Sequence, residues 1–431
     1  MCAAVVLVIG AAAHFYGEAL LRKAIADARA RGIPMSIDEL KADVPVLPDH
    51  LNMALTLQTQ GKQIKSWVNS KQGATVQSLL PFIHVRDFAK LDRRPTADEL
   101  TAMEVFVSSN GPAIREIRRA CALEHGAYHI DWKICVLETP YPHIRTHRAA
   151  AHSLAIGIVY AGEHGDGPDV FQLTVDLVRM NRALANDSHF LGIVVATTVD
   201  RLALDLVAYI LRAGVLDQSQ LEVLQGTIDE IPARYDLRHI IATEVFQVYD
   251  LMVTAAGRYP KSGSPNDALW EYRVIPGLAN SELACALRYL TEWMEAADLP
   301  ETEAWEWYCR RAATGPRISG LRPLAKAITS FPISSITRHL KLIAHCRVTQ
   351  AALAVERCRL ATGIYPDDLA DLVPEFMPEV PLNPFDGRRL QYSNDEQGAR
   401  IWLRKGGEEL ITLTLPYKDV YPELKRHAPP D

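Results

Sequence analysis

A mainly α-helical protein with a small α+β end-piece is what the sequence predicts, and three observations carry that expectation. Apolar patterns of helical period dominate residues 149–257, and Gly, Pro and capping residues cut the chain into helix-length pieces. Beyond residue 360 the texture changes to proline-rich turns and short β-type runs. Successive helices joined by short loops predict stacked helical hairpins. The array is irregular, because no repeat of fixed period is present. Four segments follow: 1–21 as an N-terminal membrane anchor, 22–95 as a helical linker region, 96–337 as the α-helical body, and 338–431 as a long helix plus a small antiparallel β end-piece.

Composition bounds the function. With 431 residues, 48% hydrophobic and 23% charged, the chain is that of a folded globular protein. Its 46 Lys+Arg against 52 Asp+Glu give a net charge of −6 with no basic face, which argues against a nucleic-acid partner. Seven cysteines without CxxC spacing exclude a zinc ribbon and a dense disulfide framework.

At the N-terminus an uncharged apolar run, Cys2 to Ala13, precedes His14, Phe15 and Tyr16, where interfacial aromatics would sit. The run is short of the roughly 20 residues a bilayer span needs, and no basic n-region precedes it. A membrane anchor whose true start lies upstream, a buried core helix and a short interfacial segment all remain open. The anchor is preferred, because the polar Ala/Arg-rich helix over 20–31 fits a membrane exit. Arg22 and Lys23 taken literally would put the body in the cytoplasm, but the missing n-region suggests a trimmed start and a body outside it.

Ser36-Ile37-Asp38-Glu39 reads as a capping box, Pro45 and Pro48 break the chain, and residues 50–60 resume helix. Thr96-Ala97-Asp98-Glu99 is a second box opening a helix to residue 109, with Gly111-Pro112 separating it from another helix through residue 122. Residues 124–141 read as a loop laid over the body. Residues 145–162 and 170–182 are helical, split by a Gly-Asp-Gly-Pro-Asp turn. Residues 190–211, interrupted mainly by Asp200, Arg201 and Asp205, are apolar almost all round and predict the central rod of the core. Asp217 caps a helix to 231. Further helices cover 237–256, 281–297 and 301–311, with a loop over 259–276 and a break over 315–323. Trp305, Trp307 and Tyr308 on the 301–311 helix read as packing between parts of the molecule before they read as a ligand groove. A long helix over 338–360 precedes strand-like pieces at 389–393, 399–403 and 410–415.

Gly363, Tyr365, Pro366, Leu369, Leu372, Pro384, Phe385, Gly387 and Tyr392 stand in the order of a helix stop, a Leu-rich turn, an aromatic-Gly turn and an aromatic strand. In this the C-terminal segment resembles the major pseudopilin of type II secretion. Asn383 stands where that family usually has Asp, and Arg404-Lys405-Gly406-Gly407 replaces its calcium loop, so the resemblance does not imply calcium. The N-terminus lacks the prepilin peptidase site. The rest of the chain resembles bacterial membrane-anchored, mainly helical proteins of unknown function, through residues 31–40, 48–52, Ile130-Asp131-Trp132, 142–147 and 216–224. No activity or cofactor comes with either resemblance.

His125/His129 and His143/His147 are each spaced i, i+4, which on a helix puts two imidazoles on one face as zinc proteases do. Neither pair is HExxH, and Gly126 argues that the first is not helical. The expected function is a non-enzymatic, membrane-anchored envelope protein that binds protein partners, linked to a secretion or pilus-like apparatus. The alternative is a metal-assisted hydrolase using residues 125–164. Gly363, Tyr365, Pro366, Pro384, Phe385, Gly387 and Tyr392 are expected to build turns, not to catalyse.

Overall fold

The computed structural model describes residues 2–42, 44–79, 93–133, 135–185, 187–255, 276–314, 333–395 and 398–416. The expected loop over 259–276, apart from Pro276, and the break over 315–323 lie outside the described residues. The protein is mainly helical, with a three-stranded antiparallel sheet near its C-terminus.

Helix α1, Cys2–Ala30, is continuous where the sequence suggested an apolar segment and a separate polar helix. Gly17, Leu21, Ala24 and Ala28, spaced at helical intervals, are buried. They lie where α1 packs along α12, defined below. No described helix is long and apolar enough to cross a membrane, since the apolar run of α1 gives way to Glu18, Arg22 and Lys23. Short α2 (Ile37–Ala42) leads to α3 (Met53–Val68) and α4 (Lys71–Leu79). Met53, Leu57 and Ile64 of α3 are buried in the same cluster as the helical body.

Helix α5, Ala97–Cys121, opens with the expected capping box, Thr96 and Glu99 bonding each other's backbone N–H. It then runs unbroken through Gly111 and Pro112, against the expectation of two helices. A proline there removes one helical hydrogen bond and costs about 3 kcal/mol. The stripe Met103, Phe106, Ala113 and Ile117, buried on both sides of the proline, offsets that cost. The buried Asn110 amide also donates to the Phe106 carbonyl at 2.9 Å.

The body continues with α6 (Pro142–Glu163), α7 (Gly167–Met180), α8 (Arg182–Ala185) and α9 (Phe190–Ala213). Next come α10 (Gln218–Ala233), α11 (Leu237–Ala255), α12 (Pro276–Thr291), α13 (Glu301–Thr314) and α14 (Ile333–Thr362). Helix α9 is the central rod that its composition predicts, touching α6, α7, α8, α11 and α14. Leu202, Ala203, Leu204, Leu206 and Val207 are all buried, which needs neighbours on every side. Gly214, at φ +64°, closes it in the left-handed conformation.

Helices α3 and α6 cross closely because Gly61 has no side chain: a Cβ there would sit 2.1 Å from the Thr146 carbonyl oxygen. We expect Gly61→Ala to destabilise the protein by about 1–3 kcal/mol through overpacking. Urea unfolding checks this as a lower midpoint at unchanged m-value, and an unshifted midpoint would show that the crossing has slack.

At the end of α14, Gly363 turns at φ +88° and Leu369–Leu372 forms one 3-10 turn capped by Asp368. Strands β1 (Gln391–Asp395), β2 (Gly398–Lys405) and β3 (Glu408–Pro416) follow in the order β1-β2-β3. Strand β1 begins two residues later than expected, and Arg389 forms only an isolated bridge to Leu382. Ala399, Ile401 and Leu403 alternate onto the face that packs on α14.

Candidate functional site

Among the described residues, chemistry-bearing side chains gather in a buried polar cluster where α6, α9 and α11 meet the 124–141 segment, and in an open groove between body and end-piece.

The two histidine pairs are separate. His125 and His129 are exposed on the 124–133 segment, which is not helical. His143 and His147 are buried on the first turns of α6, at 1% and 0% exposure. Among the described residues no group of three or more His, Cys, Asp or Glu side chains could hold a metal ion. The first pair is thus not on a helix, as Gly126 indicated, and the four histidines form no such group.

His147 is bonded at both nitrogens. The Asn181 amide nitrogen donates to the Ala196 carbonyl at 2.6 Å, which fixes the Asn181 oxygen toward His147 Nε2 at 3.1 Å. Nε2 therefore carries the proton, and Nδ1 accepts from the Tyr128 hydroxyl at 2.9 Å. The chain continues from Asn181 to the Tyr235 hydroxyl at 3.1 Å and from Tyr235 to Asp200 Oδ2 at 2.5 Å. Burial pushes His147 down to about 4, so it is neutral at physiological pH. The same desolvation raises the Asp200 carboxyl and the Tyr235 phenol.

Asp187 is the second hub. Its Oδ2 lies 3.0 Å from His143 Nε2, Oδ1 accepts from the His189 N–H, and its carbonyl lies 3.3 Å from His239 Nε2. Gly192 makes room for this carboxylate, since a Cβ there would meet Oδ2 at 2.0 Å. His189 caps α9 by accepting the Leu191 N–H on Nδ1, so its proton is on Nε2. The Gln247 amide is 2.8 Å from that nitrogen, and its oxygen is the atom able to receive the proton. Burial pushes His189 down to about 4, and the Tyr141 ring lies against it, tilted by 34° with centroids 3.8 Å apart. A cavity of about 720 Å³ opens beside Asp187, Ser188 and Tyr128, with Glu124 and His125 on its rim. His143 and His147 do not line it.

Spacing singled out His143 and His147, but their partners Tyr128, Asn181 and Asp187 are distant in sequence. The available signal was Asp200, a charge inside a largely apolar helix, which must be paired when buried.

The groove has a volume of about 910 Å³ and runs between α10, α13 and α14 on one side and residues 374–387 on the other. Glu222, Asp229, Glu301, Glu375 and Glu379 line it, with Arg347 and Arg357 as its guanidiniums. Both guanidiniums are engaged, Arg347 with Glu301 at 2.5 Å and Arg357 with Glu222 at 3.3 Å. Glu375 and Glu379 are exposed and form no ion pair among the described residues.

The end-piece residues singled out from sequence shape the far wall. Tyr365 and Pro366 are buried, and the Pro366 carbonyl accepts from the Tyr392 hydroxyl at 2.8 Å. Pro384 and Phe385 are buried, and Gly387 sits at φ +69°. Asn383 holds this turn through Oδ1 to the Phe385 N–H, while its amide nitrogen donates to the Arg404 carbonyl at 2.8 Å. A carboxylate lacks that donor, which accounts for asparagine at this position. Comparison of the chain with protein-family models, curated proteins and solved structures gives no match.

Proposed function

We propose that this chain is a non-enzymatic protein of a bacterial cell envelope that binds other proteins, with α1 as its membrane attachment and its body outside the cytoplasm. The groove between body and end-piece is the observation that carries the reading. Its carboxylates exceed its guanidiniums, and both guanidiniums are already paired, so an extended basic segment of a partner complements it. Pro374, Pro378 and Pro381 stiffen the far wall and lower the ordering cost of binding. Stacked helical hairpins offer extended faces to further partners. The pseudopilin-like order of the end-piece favours a secretion or pilus-like apparatus as their source. In α1 the apolar run leads to Phe15 and Tyr16, 68% and 67% exposed, as an interfacial anchor requires.

The test is affinity purification of the tagged protein from gently solubilised membranes, beside a Glu375→Lys/Glu379→Lys variant, with metal analysis of both samples. We expect envelope proteins to accompany the native chain, free of metal, and to be lost from the variant. Recovery alone with about one zinc per chain would overturn the proposal and favour a hydrolase.

A further inference from the structure

Lys405 ends β2 at the Lys405-Gly406-Gly407-Glu408 turn, just past an irregularity in the β2–β3 ladder between Leu403 and Arg404. Its ammonium group lies 4.1 Å from the centre of the Trp305 ring and 5.0 Å from that of Phe385. The two rings stand at 86° with centroids 5.2 Å apart, so they form a corner with aromatic faces on two sides. Tyr308 stacks on Trp305 at 4.8 Å and 14°, which backs the first wall. The Lys405 ammonium forms no ion pair or hydrogen bond among the described residues, so aromatic faces hold this cation. Desolvation and the nearby Lys341 lower its pKa, as expected for an ammonium held without a carboxylate.

The corner adjoins the groove. Glu301 and Thr302 line the groove one helical turn before Trp305, and Asn383 and Gly387 line it on either side of Phe385. A groove whose lining is acidic thus borders a two-walled aromatic site for a cation.

We propose that the Trp305–Phe385 corner is a recognition site for a lysine side chain of the partner segment, occupied within the free protein by Lys405. This rests on the groove reading above and adds the chemistry that the groove selects. Binding exchanges one ammonium for another: the partner's lysine enters between the rings as Lys405 swings out with its two-glycine turn. Gly406 and Gly407, at φ +59° and +91°, permit backbone geometries that other residues resist. No covalent step is involved.

Titration of the full-length protein with a tetralysine peptide, read by calorimetry and by tryptophan fluorescence, tests this. Lys405→Gln empties the corner without supplying a cation, and we expect it to tighten peptide binding at least about tenfold. Lys405→Arg keeps a cation in place and is expected to bind like the native chain. Adding Trp305→Leu to Lys405→Gln should return the affinity to the native level or below. Equal affinity for the native chain and Lys405→Gln, weaker binding by Lys405→Gln, or no binding by either overturns the proposal. Failure of the groove reading is distinguishable, because tetralysine binding would then be unchanged by Glu375→Lys/Glu379→Lys. Thermal melting of each variant separates loss of the fold from loss of the site.

Discussion

Acidification from pH 7 to pH 5 is expected to remove on the order of 5 kcal/mol of stability, comparable with the whole stability of an ordinary domain. His147, His189 and His339 are each held at about 4 by burial, whereas an unfolded histidine titrates near 6.5. A folded value below the unfolded one means that stability is fully present above 6.5 and is lost as pH falls toward 4. At pH 5 each histidine contributes roughly 2 kcal/mol of that loss. His345 and Asp205, 3.4 Å apart and shifted to about 3 and about 6, act in opposite directions and largely cancel. Asp200, raised by its own burial, offsets a further part. Urea unfolding followed by circular dichroism at pH 7, 6 and 5 measures the effect. A midpoint independent of pH over that range would show that these rings are protonated in the folded protein.

Replacing Asn181 by alanine is expected to cost about 3–5 kcal/mol, the largest effect of a single side chain in the buried cluster. The change strands the buried His147 Nε2–H and removes two further hydrogen bonds, those to the Ala196 carbonyl, which keeps its helical bond within α9, and to the Tyr235 hydroxyl, which still donates to Asp200. A buried donor without a partner costs about 1–3 kcal/mol and each of the two other lost hydrogen bonds about 0.5–1.5 kcal/mol, which together account for the range. Tyr235→Phe breaks the next link of the same chain, so the double variant should lose less than the sum of the two single losses. Simple additivity in urea unfolding would mean that Asn181 and Tyr235 act independently.

What could be read from the residues followed the range of the forces involved. The helical pattern of 190–211 and the Thr96 and Asp217 caps depend on neighbours within a few positions, and their helices start where expected. Gly111-Pro112 misled because the local preference for a break is outweighed by buried residues on both sides of it. The i, i+4 histidine pairs were visible, but their roles were set by contacts 19 to 44 residues away, Tyr128 to His147 and His143 to Asp187. The Trp305–Phe385 corner was half legible, since the aromatic cluster marked packing but nothing local placed Lys405 between the rings.

The unbroken course of α1 bears on mechanics. At 1.5 Å per residue, Cys2–Ala30 is a rod about 43 Å long, and its second half is fixed along α12. A flexible tether lets its cargo tumble, whereas a rod gripped at one end makes a lever. In the proposed membrane setting, the tilt of the apolar tip in the lipid sets the heading of the whole body. The groove then faces its partners from a fixed height and angle, and a helix-breaking insertion between Ala13 and Gly17 would free the heading while leaving the groove itself intact.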